Sequence, residues 1–165
     1  MRQIKVLCFA LVLAVAACRG IPAEVRAAHD ASQASTMAAT AVAQETLTKI
    51  EAKSAELNDD SVSAAFETWK TEYSNLLMAR SIVLDYLRLK PGDAEVAQAY
   101  LTGNRILNDM NRGFNTIDMY WNLMLQEENA EQAATFVQLF RKDIERFNAL
   151  NRRFDEWIRQ FPVKG

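Results

Sequence analysis

The chain of 165 residues is poor in most of the groups from which reactive sites are built. It holds one His and two Cys, too few ligands for the common zinc, di-iron and haem sites. A Ser–His–Asp triad would hang on His29 alone, and no Gly-rich phosphate loop or C-x-x-C-H haem motif occurs. No cofactor and no metal is therefore expected. Five Gly and three Pro leave little material for the turns of a many-stranded β fold. The same scarcity excludes a Pro/Gly-rich linker. Charge of one sign is also missing. A formal net charge of −2 gives no field for nucleic acid, which needs a basic patch. What remains is a chain half hydrophobic and a quarter charged, about the length of one domain.

The N-terminus carries an address. Arg2 and Lys5 form a positive region, followed by an uncharged apolar run of 12 residues from Val6 to Ala17. A bilayer span needs about 20 such residues, so the run suits a secretory signal peptide over residues 1–17. It ends in Val15-Ala16-Ala17-Cys18, which resembles the bacterial lipobox, a branched apolar residue and two small ones before an invariant Cys. The resemblance implies lipidation of the Cys18 thiol, cleavage before it and acylation of the new amine. Several acyl chains, at about 0.8 kcal/mol per buried CH₂, make a stable membrane anchor. Arg19 stands where an Asp would imply retention in the inner membrane, so the resemblance implies the periplasmic face of the outer membrane. Cys8 leaves with the signal, and no disulfide is expected even in an oxidising compartment.

Without residues 1–17 the chain carries 17 basic and 21 acidic side chains, a formal −4. The remainder, residues 18–165, contains no strand-like alternation and divides at turn residues into four helical stretches. The first spans about 22–57, and Asn58-Asp59-Asp60-Ser61 supplies a turn and an N-cap. The second spans about 62–89, closed by Lys90-Pro91-Gly92-Asp93. The third spans about 94–126. Asn129 with Gln132 reads as a capping box for the fourth, about 130–161, which stops at Phe161-Pro162. Short connections make successive helices antiparallel neighbours. An all-α, up-down-up-down four-helix bundle is predicted.

Apolar stripes mark the core. In the fourth helix Val137, Phe140, Ile144, Phe147, Asn151, Phe154, Ile158 and Phe161 alternate steps of three and four. The second helix has Phe66, Trp69, Tyr73, Leu76, Arg80, Val83 and Leu87, and the third has Leu107, Met110, Phe114, Ile117, Trp121 and Met124. Such seams pack long helices at about 20°. Arg80 and Asn151 are the polar members and read as buried register residues. The other reading of the aromatic stripe is a ligand cavity lined by Trp69, Phe114, Trp121 and Phe140. The first helix is unlike the others. It has no aromatic residue and carries Ala27, Ala31, Ala34, Ala38 and Ala41 at heptad spacing. Either these form a close-packed Ala seam, or the half nearest Cys18 is a loosely held stalk above packing around Leu47, Ile50 and Leu57.

Three polar features bear on function. His29 reads as a solvated helix residue. Asp59-Asp60 and Glu127-Glu128 are carboxylate pairs capable of acid–base work, but at helix ends they read as dipole and capping groups. On the third helix, Asn104, Asn108, Asn111, Asn115, Asp118 and Asn122 follow a three–four spacing beside the core stripe. Asn and Asp are poor helix-interior residues because their side chains compete for backbone groups. Gly103 and Gly113 weaken the same helix by about 1 kcal/mol each. Contacts must hold such a helix. The strip either bonds to neighbouring helices, with Arg80 and Asn151 among the partners, or faces a protein partner or glycan.

Residues 146–162, RFNALNRRFDEWIRQFP, are similar to the last helix of LemA-type proteins, with Asp155 replacing the family's second Asn. The segment that follows the first long helix in that family is missing here. The resemblance implies a membrane-anchored helical bundle and no catalytic residue. The expected function is a non-enzymatic envelope lipoprotein, anchored through Cys18 and docking an envelope protein. The alternatives are a carrier or sensor of a small apolar ligand or lipid, and an envelope enzyme using a carboxylate pair.

Overall fold

A computed structural model describes residues 20–52, 59–89 and 94–164. The signal segment and Cys18, Leu57 and the turn at 90–93 lie outside the described residues. Four long helices account for nearly all the rest: α1 (Ala23–Ala52), α2 (Asp60–Arg88), α3 (Ala94–Gln126) and α4 (Ala130–Ile158). Their ends follow from local chemistry. Asp59, in extended conformation, caps α2 by accepting from the Ser61 amide at 2.7 Å, so the helix begins at Asp60. Asn129 caps α4 by accepting from the Glu131 and Gln132 amides. The return arm of that cap comes from Glu127, whose carboxylate accepts from the Asn129 amide at 2.9 Å. After Ile158 the chain tightens, with Gln160 and Phe161 bonding three residues back, because Pro162 disfavours helix at the residue before it.

Cross-helix contacts set the directions. Gln33 and Thr40 of α1 meet Arg80 and Tyr73 of α2, so sequence order runs opposite on the two helices. Phe66 and Arg80 of α2 meet Trp121 and Met110 of α3, again reversed. Tyr120 and Phe114 of α3 meet Phe136 and Phe147 of α4. Glu51 and His29 of α1 meet Arg141 and Asp155 of α4. The result is the up-down-up-down bundle. Its terminal end is tied by β1 (Ile21–Pro22), which pairs in parallel with β2 (Val163–Lys164). The Ile21 amide donates to the Pro162 carbonyl at 3.0 Å, and Ile21 is fully buried.

The predicted seams are the observed core on α2, α3 and α4, with Phe114 and Phe161 half-buried against it. Two readings require correction. On α1 the Ala row of 27, 31, 34, 38 and 41 faces solvent. The buried face is His29, Thr36, Ala39, Thr40, Ala43, Leu47 and Ile50, so there is neither an Ala seam nor a loose upper half. Thr is admitted because its hydroxyl is bonded: Thr36 donates to the Glu72 carbonyl, and Thr40 donates to the Thr36 carbonyl and contacts the Tyr73 hydroxyl. Gly103 is not simply a weak point of α3. A Cβ there would stand 2.5 Å from Trp157 and 2.7 Å from Leu84, so the glycine is the notch into which α4 and α2 pack.

Candidate functional site

Half a bundle length from the rings, the interior turns polar. Arg80 is fully buried. Its Nη2 donates to both the backbone and side-chain oxygens of Asn151, and to Gln33 Oε1 at 3.2 Å. Nη1 donates to Met110 Sδ at 2.8 Å, and the guanidinium carbon lies 4.5 Å over the Phe154 ring. Nε has no hydrogen-bond partner among the described residues. Burial pushes the guanidinium down to about 9, with Asp155 opposing that shift, so it still carries its charge at pH 7. A cation is thus held by neutral oxygens, a sulfur and a ring, with no carboxylate in hydrogen-bond contact.

His29 is also fully buried, which corrects its reading as a solvated residue. Its Nε2 lies 3.3 Å from Asp155 Oδ1, and Nδ1 has no partner among the described residues. Desolvation, then the Arg80 charge, lowers its pKa below the usual 6.5, so it is neutral at pH 7. Asp155 also accepts from Arg159 Nε at 2.9 Å, and Arg159 reaches Asp30 at 3.4 Å. Burial pushes Asp155 upward, but hydrogen bonds from Arg159 and His29 outweigh it and hold the carboxyl below its usual range. His29, Asp30 and Asp155 bring three potential ligand atoms within 4.8 Å. Arg159 already engages both carboxylates of that set, so the group is an ion-pair cluster rather than a vacant metal cage. A third polar contact joins Tyr73 to Thr40 and, by a short hydrogen bond, to Asn148. Arg26 completes the column by donating to the Ile158 and Phe161 carbonyls at 2.6 and 3.0 Å.

The strip on α3 is built differently. Asn108, Asn111, Asn115 and Asn122 are exposed, and Asn104 and Asp118 are half-buried. Asp118 pairs with Lys70 of α2 at 2.9 Å, and Asn122 donates to the Asp118 carbonyl. Among the described residues no hydrogen bond joins Asn104, Asn108, Asn111 or Asn115 to a neighbouring helix. Arg80 and Asn151 bond to each other and not to the strip. Leu101, Met119 and Leu123 are exposed on the same helix. The aromatic stripes, meanwhile, fill their own space. Phe66 stacks on Trp121 at 4.2 Å, and Phe140 lies 5.6 Å from Trp121. The gap bordered by these rings, Leu47 and Val62 is about 10 Å³, at the lower limit for one water. Of the carboxylate pairs, Asp59 and Glu127 serve as cap groups, and Asp60 opens α2.

Sequence reasoning missed His29, Gln33, Thr36, Thr40 and Tyr73 as members of the polar column. One pattern pointed to them. Stepping back by threes and fours from Leu47 and Ile50 reaches Ala43, Thr40, Thr36 and His29, whereas the Ala row leads out of phase.

The fold and this geometry define a four-helix bundle with an aromatic half, a polar half and a largely exposed Asn strip. No protein-family model, curated protein or solved structure matches the chain. No helix among the described residues is long and apolar enough to cross a membrane.

Proposed function

We propose that the chain is a bacterial envelope lipoprotein, held by acyl chains on Cys18 at the periplasmic face of the outer membrane, whose bundle docks an envelope protein without catalysis. The observation that carries this reading is the strip on α3. Four Asn side chains lower the propensity of the helix, yet among the described residues none bonds to another helix. Exposed Leu101, Met119 and Leu123 add apolar contact area on the same helix, the mixture a partner-binding face offers. The tied terminal end fits the anchor. Three residues reach at most about 10 Å, so acyl chains on Cys18 would seat the Ile21 end of the bundle close to the bilayer. The closed aromatic packing favours docking over an apolar carrier, and the capping roles of the carboxylate pairs favour it over an enzyme.

Changing Asn104, Asn108, Asn111 and Asn115 together to Ala tests the reading. The isolated protein should gain a few tenths of a kcal/mol per site, while crosslinked capture of its partner in intact cells should fall. Capture at the wild-type level by this variant would overturn the docking face. Cys18→Ser should move the protein out of the outer-membrane fraction, and its retention there would overturn the anchor.

A further inference from the structure

Between α1 and α4 lies an open cleft of about 260 Å³, lined by Gln33, Met37, Thr40, Asn148, Asn151 and Arg152 among others. Its chemistry is set by what lies beneath it. Arg80 has only donors, so Gln33 and Asn151 can meet it only through their oxygens, as they do. That fixes the orientation of both amides. The capacity left to each is its NH₂ group, which has no bond among the described residues. Arg152 is exposed at the cleft, and no Asp or Glu lines it. Two amide NH₂ groups, a guanidinium at the rim and, behind them, a buried cation with no carboxylate in direct contact present donors and positive charge. Along α1 from Gln33, Met37 and Ala41 add an apolar side to the lining, within a stretch from 31 to 44 that has no charged residue.

We propose that this cleft is a binding site for a small carboxylate with a short apolar body, received by the Gln33 and Asn151 amides and Arg152 and attracted by the buried Arg80 charge. The carboxylate supplies the acceptor oxygens that the amide NH₂ groups lack, and its charge offsets a cation that burial has deprived of water. The volume lies just below the roughly 300–1,000 Å³ of sites for drug-sized ligands, so the ligand is a small one. Low dielectric strengthens the attraction of Arg80 across the intervening amides. The site is separate from the α3 strip, and neither requires the other.

Sodium butyrate titrated into the folded protein is the test, read by the side-chain amide resonances of Gln33, Asn148 and Asn151. Butyramide, equal in shape but uncharged, and sodium phosphate are the controls. Butyrate should shift the Gln33 and Asn151 NH₂ signals saturably, and butyramide should not. Arg152→Gln, at an exposed position, should weaken butyrate by roughly tenfold. Raised salt should weaken it further. Equal shifts from butyrate and butyramide, or from butyrate in wild type and Arg152→Gln, would overturn the site. Phosphate binding as tightly as butyrate would overturn the carboxylate assignment. No saturable shift with any probe would overturn the proposal altogether.

Discussion

Around Phe66 and Trp69 the bundle interior is filled by rings, and along the same face of α2, at Arg80, by a cation among amides. The two regions share the helices and the three–four spacing, yet they meet the cost of burial differently. Trp69 is flanked by Phe66, Tyr73, Phe114 and Phe140, and the large apolar area of such rings supplies most of their gain on burial. Arg80 and His29 must have their hydrogen bonds oriented or lose stability. The aromatic half therefore supplies binding energy between helices, while the polar half admits few alternative arrangements. The difference is sharpest on α1, which contributes Leu47 and Ile50 at one end and His29, Thr36 and Thr40 at the other. A helix that buries so little apolar surface is positioned largely by directed bonds.

The largest effect expected is in the rings. Phe140 is almost fully buried against Phe66, Trp69 and Trp121, so Phe140→Ala should cost about 3–5 kcal/mol. Denaturant unfolding measures this, and a loss below about 1 kcal/mol would mean that the ring half is not where stability resides. The polar half should answer differently. Asn151→Leu removes an acceptor from a buried cation and should cost about 2–3 kcal/mol. Adding Arg80→Met to Asn151→Leu should recover most of that loss, because a buried charge replaced by apolar groups is often neutral. Additive losses in the double variant would show that Arg80 stabilises through its contacts with Met110 and Phe154 instead.

Glycines on α3 separate close packing from helix propensity. Gly103→Ala should cost about 1–3 kcal/mol by overpacking against Trp157 and Leu84. At Gly113 an added Cβ would meet only Phe147 Cδ2, at 3.6 Å, so Gly113→Ala should gain about 0.5–1 kcal/mol. Thermal unfolding of the two variants should move in opposite directions. The same sign for both would remove the notch at Gly103.

Much of this architecture was legible before the structure. The seams of α2, α3 and α4 repeat large apolar residues at helical spacing, and Asn129 and the run from Asn58 to Ser61 precede helices as caps do, though only the structure singles out Asp59. Arg80 and Asn151 stood out as polar members of apolar rows, and they are buried together. On α1 the phase was hard to read, because Ala tolerates either face and Thr counts as polar until its hydroxyl is bonded. Leu47 and Ile50 held the correct phase, but two large residues are a weak anchor for a 30-residue helix. Burial of His29 depended on Asp155, more than a hundred residues away in sequence. The cleft was invisible for the same reason, since Gln33 and Asn151 acquire direction only through Arg80.

The effect that isolates the polar half is its response to pH. Burial and the Arg80 charge lower the His29 pKa, while Asp155 and Asp30 oppose them without reversing the result. The unfolded chain therefore takes up a proton near pH 6.5 that the folded bundle refuses. Stability is full above that value and falls as the pH drops below it, with a slope for one proton of at most about 1.4 kcal/mol per unit. Asp155 acts in a lower window. Its carboxyl is held below the usual 3.8, so its contribution is lost only as the pH falls through that acid range. Between pH 6.5 and 5 the His29 slope should stand alone, and His29→Leu should flatten it while leaving the Phe140→Ala loss unchanged. Chemical denaturation at half-unit steps across this range distinguishes the outcomes. A wild-type curve that rises as the pH drops from 6.5 would mean that His29 is held protonated by Asp155, and that the polar half is stabilised as an ion pair rather than as a neutral contact.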